Sequence, residues 1–148
     1  MLGFFIAMVS GALMSIQGVF NTDVTKNTSI WVAGAFVQLT AFITCMIMWY
    51  VTGKPSFSGL MHVENKYALL GGVIGAFITY TVVKSMASLG TAPAVLTIVI
   101  TQTTVAYLIE LFGLFGSEKS EFSWLKILGL LIAIGGVVLF NVTGTQKG

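Results

Sequence analysis

Arginine is absent from this sequence, and charged residues of every kind make up only 8% of its 148 residues. A soluble domain carries roughly 25% charged residues, which form its water-exposed shell. Hydrophobic residues reach 56% here, so the chain cannot supply such a shell. Its seven lysines are scattered along the chain, whereas nucleic-acid binding needs a clustered basic patch. The composition therefore excludes a soluble globular domain and a nucleic-acid partner.

Cysteine and histidine each occur once. Cys45 lies inside an apolar run and His62 lies in a polar linker, so the chain has neither a disulfide framework nor the spacing of a Cys/His metal site. The sequence also contains no Ser/His or paired-Asp arrangement and no phosphate-binding glycine loop. We therefore expect no enzymatic activity, no cofactor and no metal site.

Five long apolar stretches fill the chain. They cover approximately residues 2–21, 30–52, 67–89, 92–115 and 124–142, and about 20 apolar residues suffice for a helix to cross the hydrocarbon core. The first stretch lacks a basic start and a small-residue cleavage site, so it predicts a permanent helix rather than a signal peptide. The sequence predicts an all-α integral membrane protein with five transmembrane helices in a single domain, 1–148.

The lysines between the stretches give little orientation signal. Cytoplasmic loops normally carry the excess of Lys and Arg, but here four lysines fall on one side of the membrane and three on the other. The chain either inserts in both orientations or takes one orientation from a single charge. Two inverted copies of a five-helix chain would pair as the inverted repeats of secondary transporters do. The two sets are Lys54, Lys66, Lys119 and Lys126 against Lys26, Lys84 and Lys147.

Polar side chains recur within the apolar stretches, where each is costly unless it faces a partner or a cavity. Gln17 and Asn21, for example, are one helical turn apart and share a face. Threonines commonly bond back to carbonyls of their own helix, and amides also join helices, so helix packing is the alternative to substrate contact. The candidate substrate-binding or cavity-lining residues are Gln17, Asn21, Gln38, Tyr80, Gln102, Thr103 and Tyr107.

Lys84 and Glu110 are the only ionisable residues well inside the apolar stretches. At about 1.5 Å per residue, Lys84 lies about 7 Å from one membrane side and Glu110 about 27 Å from that same side. A lysine cannot bridge that difference within one chain, but an inverted copy would place its Glu110 level with Lys84. We therefore expect these residues to serve ion coupling or pairing between protomers. The alternative is that each side chain extends to its own nearer interface.

Small residues are spaced for close helix packing, which drives helix association in lipid. These rows predict a compact and oligomeric helix bundle. The candidate packing residues are Gly11, Ser15, Gly18, Gly71, Gly75 and Gly129.

Several of these residues lie in sequence motifs of a known family. The motifs are GALMSIQGVFN at 11–21, GGVIGA at 71–76, LGTAPA at 89–94, Thr101–Gln102, and ELFG at 110–113. Together they resemble the YdcZ-like family of the drug/metabolite transporter superfamily. Glu110 stands where that family usually has an aspartate, which keeps the charge.

The resemblance implies more than the residues alone establish. The family comprises transporters without an agreed substrate, and it includes dual-topology proteins, pairs of oppositely oriented homologues and fused ten-helix forms. It therefore implies an antiparallel dimer of ten helices, formed with an inverted copy or with an oppositely oriented homologue. The nearly balanced lysines favour the homodimer. By the same resemblance, Gln17, Asn21, Gln102 and Glu110 would line the central site of that dimer.

We therefore expect a small secondary transporter that moves a small polar or amphipathic metabolite by alternating access. Its partners would be the lipid bilayer, an inverted copy of itself and a small molecule of unknown identity. Its place would be a bacterial inner membrane, as a multi-pass protein of dual orientation. A non-transporting membrane scaffold and a passive pore are the alternatives.

Overall fold

The computed structural model describes residues 2–144, which form helices and turns without a β-strand. Five helices are long and apolar enough to cross a membrane, and this confirms the predicted all-α membrane architecture. Lys147, which enters the lysine count, lies outside the described residues. The α-helices are α1 (Leu2–Asn27), α2 (Ile30–Val51), α3 (Gly71–Leu89), α4 (Thr91–Phe112) and α5 (Trp124–Gly144), and short 3₁₀ helices cover Phe57–His62, Lys66–Leu70 and Leu114–Gly116.

The helices divide into two compact units. The first unit extends to Ala87 and contains α1, α2 and most of α3, whereas the second begins at Ser88 and contains α4 and α5. In the first unit α1 packs against α2, and in the second α4 packs against α5. Each surface considered below lies within one of these units.

Helix α1 continues past its predicted end at Asn21 and stops at Asn27. The hydroxyl of Thr25 donates to the Asn21 carbonyl at 2.8 Å. Lys26 and Asp23 form an ion pair of 3.0 Å one turn apart. Because the helix itself satisfies these polar groups, a polar sequence does not end it.

The predicted span of 67–89 agrees with the apolar helical span Lys66–Leu89, but its first turn is not α-helical. Residues Lys66–Leu70 form a 3₁₀ helix, and the α-helix starts at Gly71. The Asn65 side chain accepts a hydrogen bond from the Tyr67 N–H at 3.1 Å. This side-chain cap initiates the tighter 3₁₀ turn, because it satisfies a backbone donor that a helix start leaves unpaired.

Helix α4 is bounded by two glycines and ends earlier than predicted, at Phe112 rather than Phe115. Gly90 has φ +87° and separates α3 from α4. Gly113 takes the left-handed conformation (φ 63°, ψ 37°), and its N–H donates to the Glu110 carbonyl at 3.3 Å. Such a left-handed residue stops a helix while it satisfies a terminal carbonyl. Glu110 consequently lies in the last turn of α4, nearer the helix end than the sequence predicted.

Most large apolar side chains of the chain are exposed. Phe4 is 76% exposed and Leu125 is 80% exposed. Both lie in helices that are long enough to cross a membrane. Only a few apolar side chains are buried, among them Ala33, Val83 and Ala94. Lipid tails are as apolar as these side chains, so helix association in a bilayer depends on close packing and polar contacts instead.

Close packing in the first unit centres on Met86, which is 5% exposed. A Cβ added at Gly18 would collide with Met86 Cε and lie 2.8 Å from its Sδ. A Cβ at Gly75 would lie 3.4 Å from Gln38 Nε2. Ser15 bonds along its own helix, donating to the Gly11 carbonyl at 3.1 Å.

The remaining small residues have no neighbour of this kind among the described residues. A Cβ added at Gly11, Gly71 or Gly129 would meet nothing within 4 Å. Their predicted role in helix packing therefore stays a prediction about a second chain.

Candidate functional site

A groove between α4 and α5 in the second unit brings together several of the candidate residues. We call it the α4–α5 groove, and its volume is about 400 Å³. This volume falls within the range of about 300–1,000 Å³ typical of small-molecule sites. Its lining residues are Val99, Ile100, Thr103, Ala106, Tyr107 and Glu110 from α4, with Lys126, Gly129, Leu130 and Ala133 from α5.

One end of the groove carries opposite charges beside an aromatic ring. Lys126 Nζ lies 3.9 Å from Glu110 Oε2, and the two side chains are 49% and 52% exposed. The same ammonium lies 5.2 Å from the centre of the Tyr107 ring, within the distance of a cation–π contact. A typical charge-assisted N–H···O bond is about 2.7–2.9 Å long. The pair is therefore loose, and both charged groups have room for further partners.

Tyr107 fixes the start of α5 against α4. Its side chain is 9% exposed, and its hydroxyl accepts a hydrogen bond from the Ser123 N–H at 3.1 Å. Ser123 directly precedes Trp124, the first residue of α5. The hydroxyl thus satisfies a backbone donor at a helix start and holds the turn from which Lys126 projects.

The connection between α4 and α5 folds back onto the end of α4. The Ser120 N–H donates to the Glu110 carbonyl at 2.9 Å, and the Ser117 hydroxyl donates to the Ile109 carbonyl at 3.2 Å. These bonds satisfy terminal carbonyls of the helix. They also fix the backbone that carries the Glu110 carboxylate.

Lys126 is the site residue that the sequence analysis missed, because it was counted only among the linker lysines. A signal was present, however. Lys126 lies two residues after the start of α5, Glu110 lies two residues before the end of α4, and a short linker joins the two helices. Residues at those two positions lie at the same membrane depth, which is sufficient to suggest a pair.

A second pocket, of about 200 Å³, lies between α2 and α3 in the first unit. Trp31 and Tyr80 stack across it with ring centroids 5.0 Å apart and planes at 21°. Gln38 also lines this pocket and is half-buried. The structure therefore brings Gln38 and Tyr80 together, whereas Thr103, Tyr107 and Glu110 line the groove of the other unit.

The other candidate residues lie outside these two cavities. Gln17 and Gln102 are exposed, and neither side-chain amide has a hydrogen-bond partner among residues 2–144. Asn21 is 7% exposed. Lys84 is exposed and makes contacts within the chain. Pairing of Lys84 with Glu110 of an inverted copy stays a prediction, and Glu110 already has a partner in its own chain, Lys126.

The threonines of α4 bond back to their own helix. Thr103 donates to the Val99 carbonyl at 2.8 Å, and Thr101 donates to the Thr97 carbonyl at 2.9 Å. The hydroxyl of Thr103 therefore faces the groove with its donor already used. Within the described part of the chain, no group of three or more His, Cys, Asp or Glu side chains lies together as metal ligands.

Residues 2–139 match the sequence profile of a protein family described as "Putative inner membrane exporter, YdcZ". The chain belongs to the YdcZ family. The match covers every helix but the end of α5, and it confirms the resemblance found in the motifs. Comparisons with curated proteins and with solved structures give no match.

Membership of the YdcZ family agrees with a multi-pass protein of the inner membrane and with a role in transport. It is also consistent with the expected lack of enzymatic activity. The groove of this YdcZ-family chain combines mostly apolar walls with charged groups at one end.

Proposed function

We propose that this chain is one protomer of a small secondary exporter, and that the α4–α5 groove forms part of its substrate site. The observation that carries the proposal is the loose Lys126–Glu110 pair beside Tyr107, at one end of an otherwise apolar groove. Ionisable side chains within membrane helices are costly, and they usually mark a substrate or ion pathway. The expected substrate is a small polar or amphipathic metabolite.

The exposed polar groups support a second protomer. Gln17 and Gln102 expose amides on helices that are apolar enough to cross a membrane, and an amide in lipid is unfavourable without hydrogen-bond partners. An inverted copy would supply such partners and complete a central site. The four-to-three division of lysines supports insertion in both orientations.

Alternating access follows from this arrangement. Two inverted copies are related by an axis in the membrane plane, so an inward-facing state of the pair has an outward-facing equivalent. The substrate site would lie between them and exchange access between the two membrane sides. Glu110 is the candidate for ion coupling, because it is the acid within α4 that lines the groove.

Transport by purified protein tests this proposal. A metabolite panel is first screened for compounds that raise the melting temperature, because ligand binding to the folded state stabilises it. The best compound is then tested in proteoliposomes by counterflow, the exchange of labelled external compound for an unlabelled internal pool. Lys126→Met is expected to reduce the exchange at least tenfold. Lys119→Met is the matched control, since it removes a lysine from the same linker region without touching the groove.

Two outcomes would contradict the proposal. Exchange no faster than in empty liposomes, for every stabilising compound, would indicate a scaffold. Rapid flux that neither saturates nor depends on an internal pool would indicate a passive pore. For ion coupling, Glu110→Gln is expected to remove the pH dependence of exchange while Glu118→Gln retains it. An unchanged pH profile in the Glu110→Gln variant would exclude Glu110 as the coupling group.

A further inference from the structure

We propose that the α4–α5 groove binds a zwitterionic amphiphile, a molecule whose head carries one cation and one anion and whose tail is aliphatic. This inference rests on the proposed function and names the substrate class. The head would occupy the end of the groove at Lys126 and Glu110. The tail would extend from there toward Val99 and Ala133.

The charged end favours a head with both signs of charge. An ammonium has three donors and no acceptor, whereas a carboxylate has only acceptors. At 3.9 Å neither Lys126 nor Glu110 is saturated by the other. A head with an anion and a cation gives each group a close partner, the anion at Lys126 and the cation at Glu110.

Singly charged ligands fit the same end less well. A cation bound to Glu110 competes with Lys126 and leaves its ammonium without a counterion, and an anion bound to Lys126 does the same to the carboxylate. An unbalanced charge is expensive in a medium of low dielectric constant. The zwitterion adds no net charge, so the groove stays neutral when it is occupied.

The rest of the groove favours an aliphatic tail. Below the charged end the lining is mainly apolar and includes a single threonine, Thr103, while Gly129 leaves open space. The apolar residues are Val99, Ile100, Ala106, Leu130 and Ala133. From Lys126 to Ala133 the wall on α5 is about 10 Å long at 1.5 Å per residue. The volume of 400 Å³ equals that of roughly 13 water molecules at about 30 Å³ each. A single short chain fits this space.

A matched set of probes tests the head group. 2-Aminooctanoate is the zwitterion, octanoate is the anion and heptylamine is the cation, and all three carry similar tails. Binding is measured from thermal stabilisation of the full chain in lipid nanodiscs. We expect 2-aminooctanoate to bind at least tenfold more tightly than either other probe, because it alone makes both charge-assisted contacts. Equal or tighter binding of octanoate or heptylamine would overturn the inference.

Charge variants should change the preference among the three probes. A purely structural role of Lys126 and Glu110 would leave that preference unchanged. Glu110→Gln is expected to shift the preference toward octanoate, and Lys126→Gln toward heptylamine. The double variant Glu110→Lys with Lys126→Glu restores a pair of opposite charges, so it is expected to recover preference for 2-aminooctanoate. It also remains informative if the single variants fold poorly. A double variant that folds but shows no preference would contradict the assigned head site.

A second variant tests the tail. Gly129→Leu places a side chain in the groove at a position where an added Cβ meets nothing within 4 Å. It is expected to weaken binding of 2-aminooctanoate at least tenfold while the shorter 2-aminobutanoate is affected less than twofold. Gly135→Leu lies on the same helix with equally open surroundings and serves as the control. Equal losses for both ligands would refute a tail lying along the groove.

Two further experiments distinguish this inference from lipid binding and from the proposed transport function. Probe binding is compared in nanodiscs of zwitterionic phosphatidylcholine and of anionic phosphatidylglycerol, and equal affinities are expected. Loss of binding only in phosphatidylcholine would assign the groove to a bilayer lipid and overturn the substrate proposal. Counterflow is then run with 2-aminooctanoate. Binding of 2-aminooctanoate without exchange would support the site and refute the transport function. Exchange of another compound, with no binding of 2-aminooctanoate, would support the transport function and refute the zwitterion site.

Discussion

Removing the hydroxyl of Tyr107 should loosen the start of α5 without emptying the space that the ring fills. The hydroxyl accepts one bond, from the Ser123 N–H at 3.1 Å, in a side chain that is 9% exposed. Loss of a single partly buried hydrogen bond costs about 1 kcal/mol. For a chain of this size, that cost lowers the melting temperature by about 2–4 °C. Tyr107→Phe is therefore expected to melt about 2–4 °C below the parent protein.

Tyr107→Phe should change ligand binding less than stability. Phenylalanine keeps the aromatic face over which Lys126 Nζ lies at 5.2 Å, so binding to the groove should weaken only modestly, by about twofold to fivefold. Tyr107→Leu removes the hydroxyl and the ring together, and it should lose clearly more stability and more binding. Stability is measured by thermal unfolding, with tryptophan fluorescence as the signal. Binding is measured by titration of a stabilising ligand.

A matched tyrosine provides the control. Tyr67 is 80% exposed, so Tyr67→Phe should leave the melting temperature unchanged. A Tyr107→Phe variant as stable as the parent would show that the Ser123 contact contributes nothing. A loss equal to that of Tyr107→Leu would show that the ring contributes nothing beyond the hydroxyl. Either result would refute the role assigned to Tyr107.

Two further predictions concern the first unit. Gly18→Leu should destabilise the protein by about 1–3 kcal/mol through overpacking, because a Cβ there already collides with Met86. Gly11→Leu has open surroundings and should lose much less stability in a thermal melt. Tyr80→Leu should cost about 0.5–1.5 kcal/mol through loss of the stack on Trp31, and equal melting of Tyr80→Leu and the parent would exclude a structural role for that stack.

The sequence predicts the five helices and most of their bounds, but it misplaces the ends of α1 and α4. Long apolar runs correctly indicate five membrane-spanning helices, because nothing else satisfies the backbone in lipid. The ends depend on local bonds that hydropathy does not report. Thr25 bonds to Asn21 and extends α1, whereas Gly113 takes a left-handed conformation and shortens α4. Both are short-range geometric effects.

The candidate site was predicted in part. Thr103, Tyr107 and Glu110 share a stripe of α4, and helical periodicity alone is enough to group them. The same periodicity does not identify Lys126, the partner of Glu110, because Lys126 lies on the next helix. Once α4 ends at Phe112, Glu110 and Lys126 lie at the same end of adjacent helices. Gln17 and Gln102 are exposed in the described structure, so their predicted place in a substrate site stays a prediction.

The central claim is that two inverted copies of the chain form one transporter, and locked orientations test it most directly. The unaltered chain has four lysines on the side of Lys54 and three on the side of Lys26. One variant set changes these numbers to six and two, and the other changes them to two and five. Each set should therefore insert in one orientation. The first set is Ser58→Lys, Gly59→Lys and Lys26→Gln, and the second is Lys54→Gln, Lys66→Gln, Asn27→Lys and Thr28→Lys.

The measurement is counterflow in proteoliposomes made from each locked variant alone and from the two produced together, with C-terminal reporters verifying each orientation in cells. Both locked variants are expected to be inactive alone and active together, and the unaltered chain is expected to give reporter signals on both membrane sides. Full exchange activity from either locked variant alone would contradict the claim.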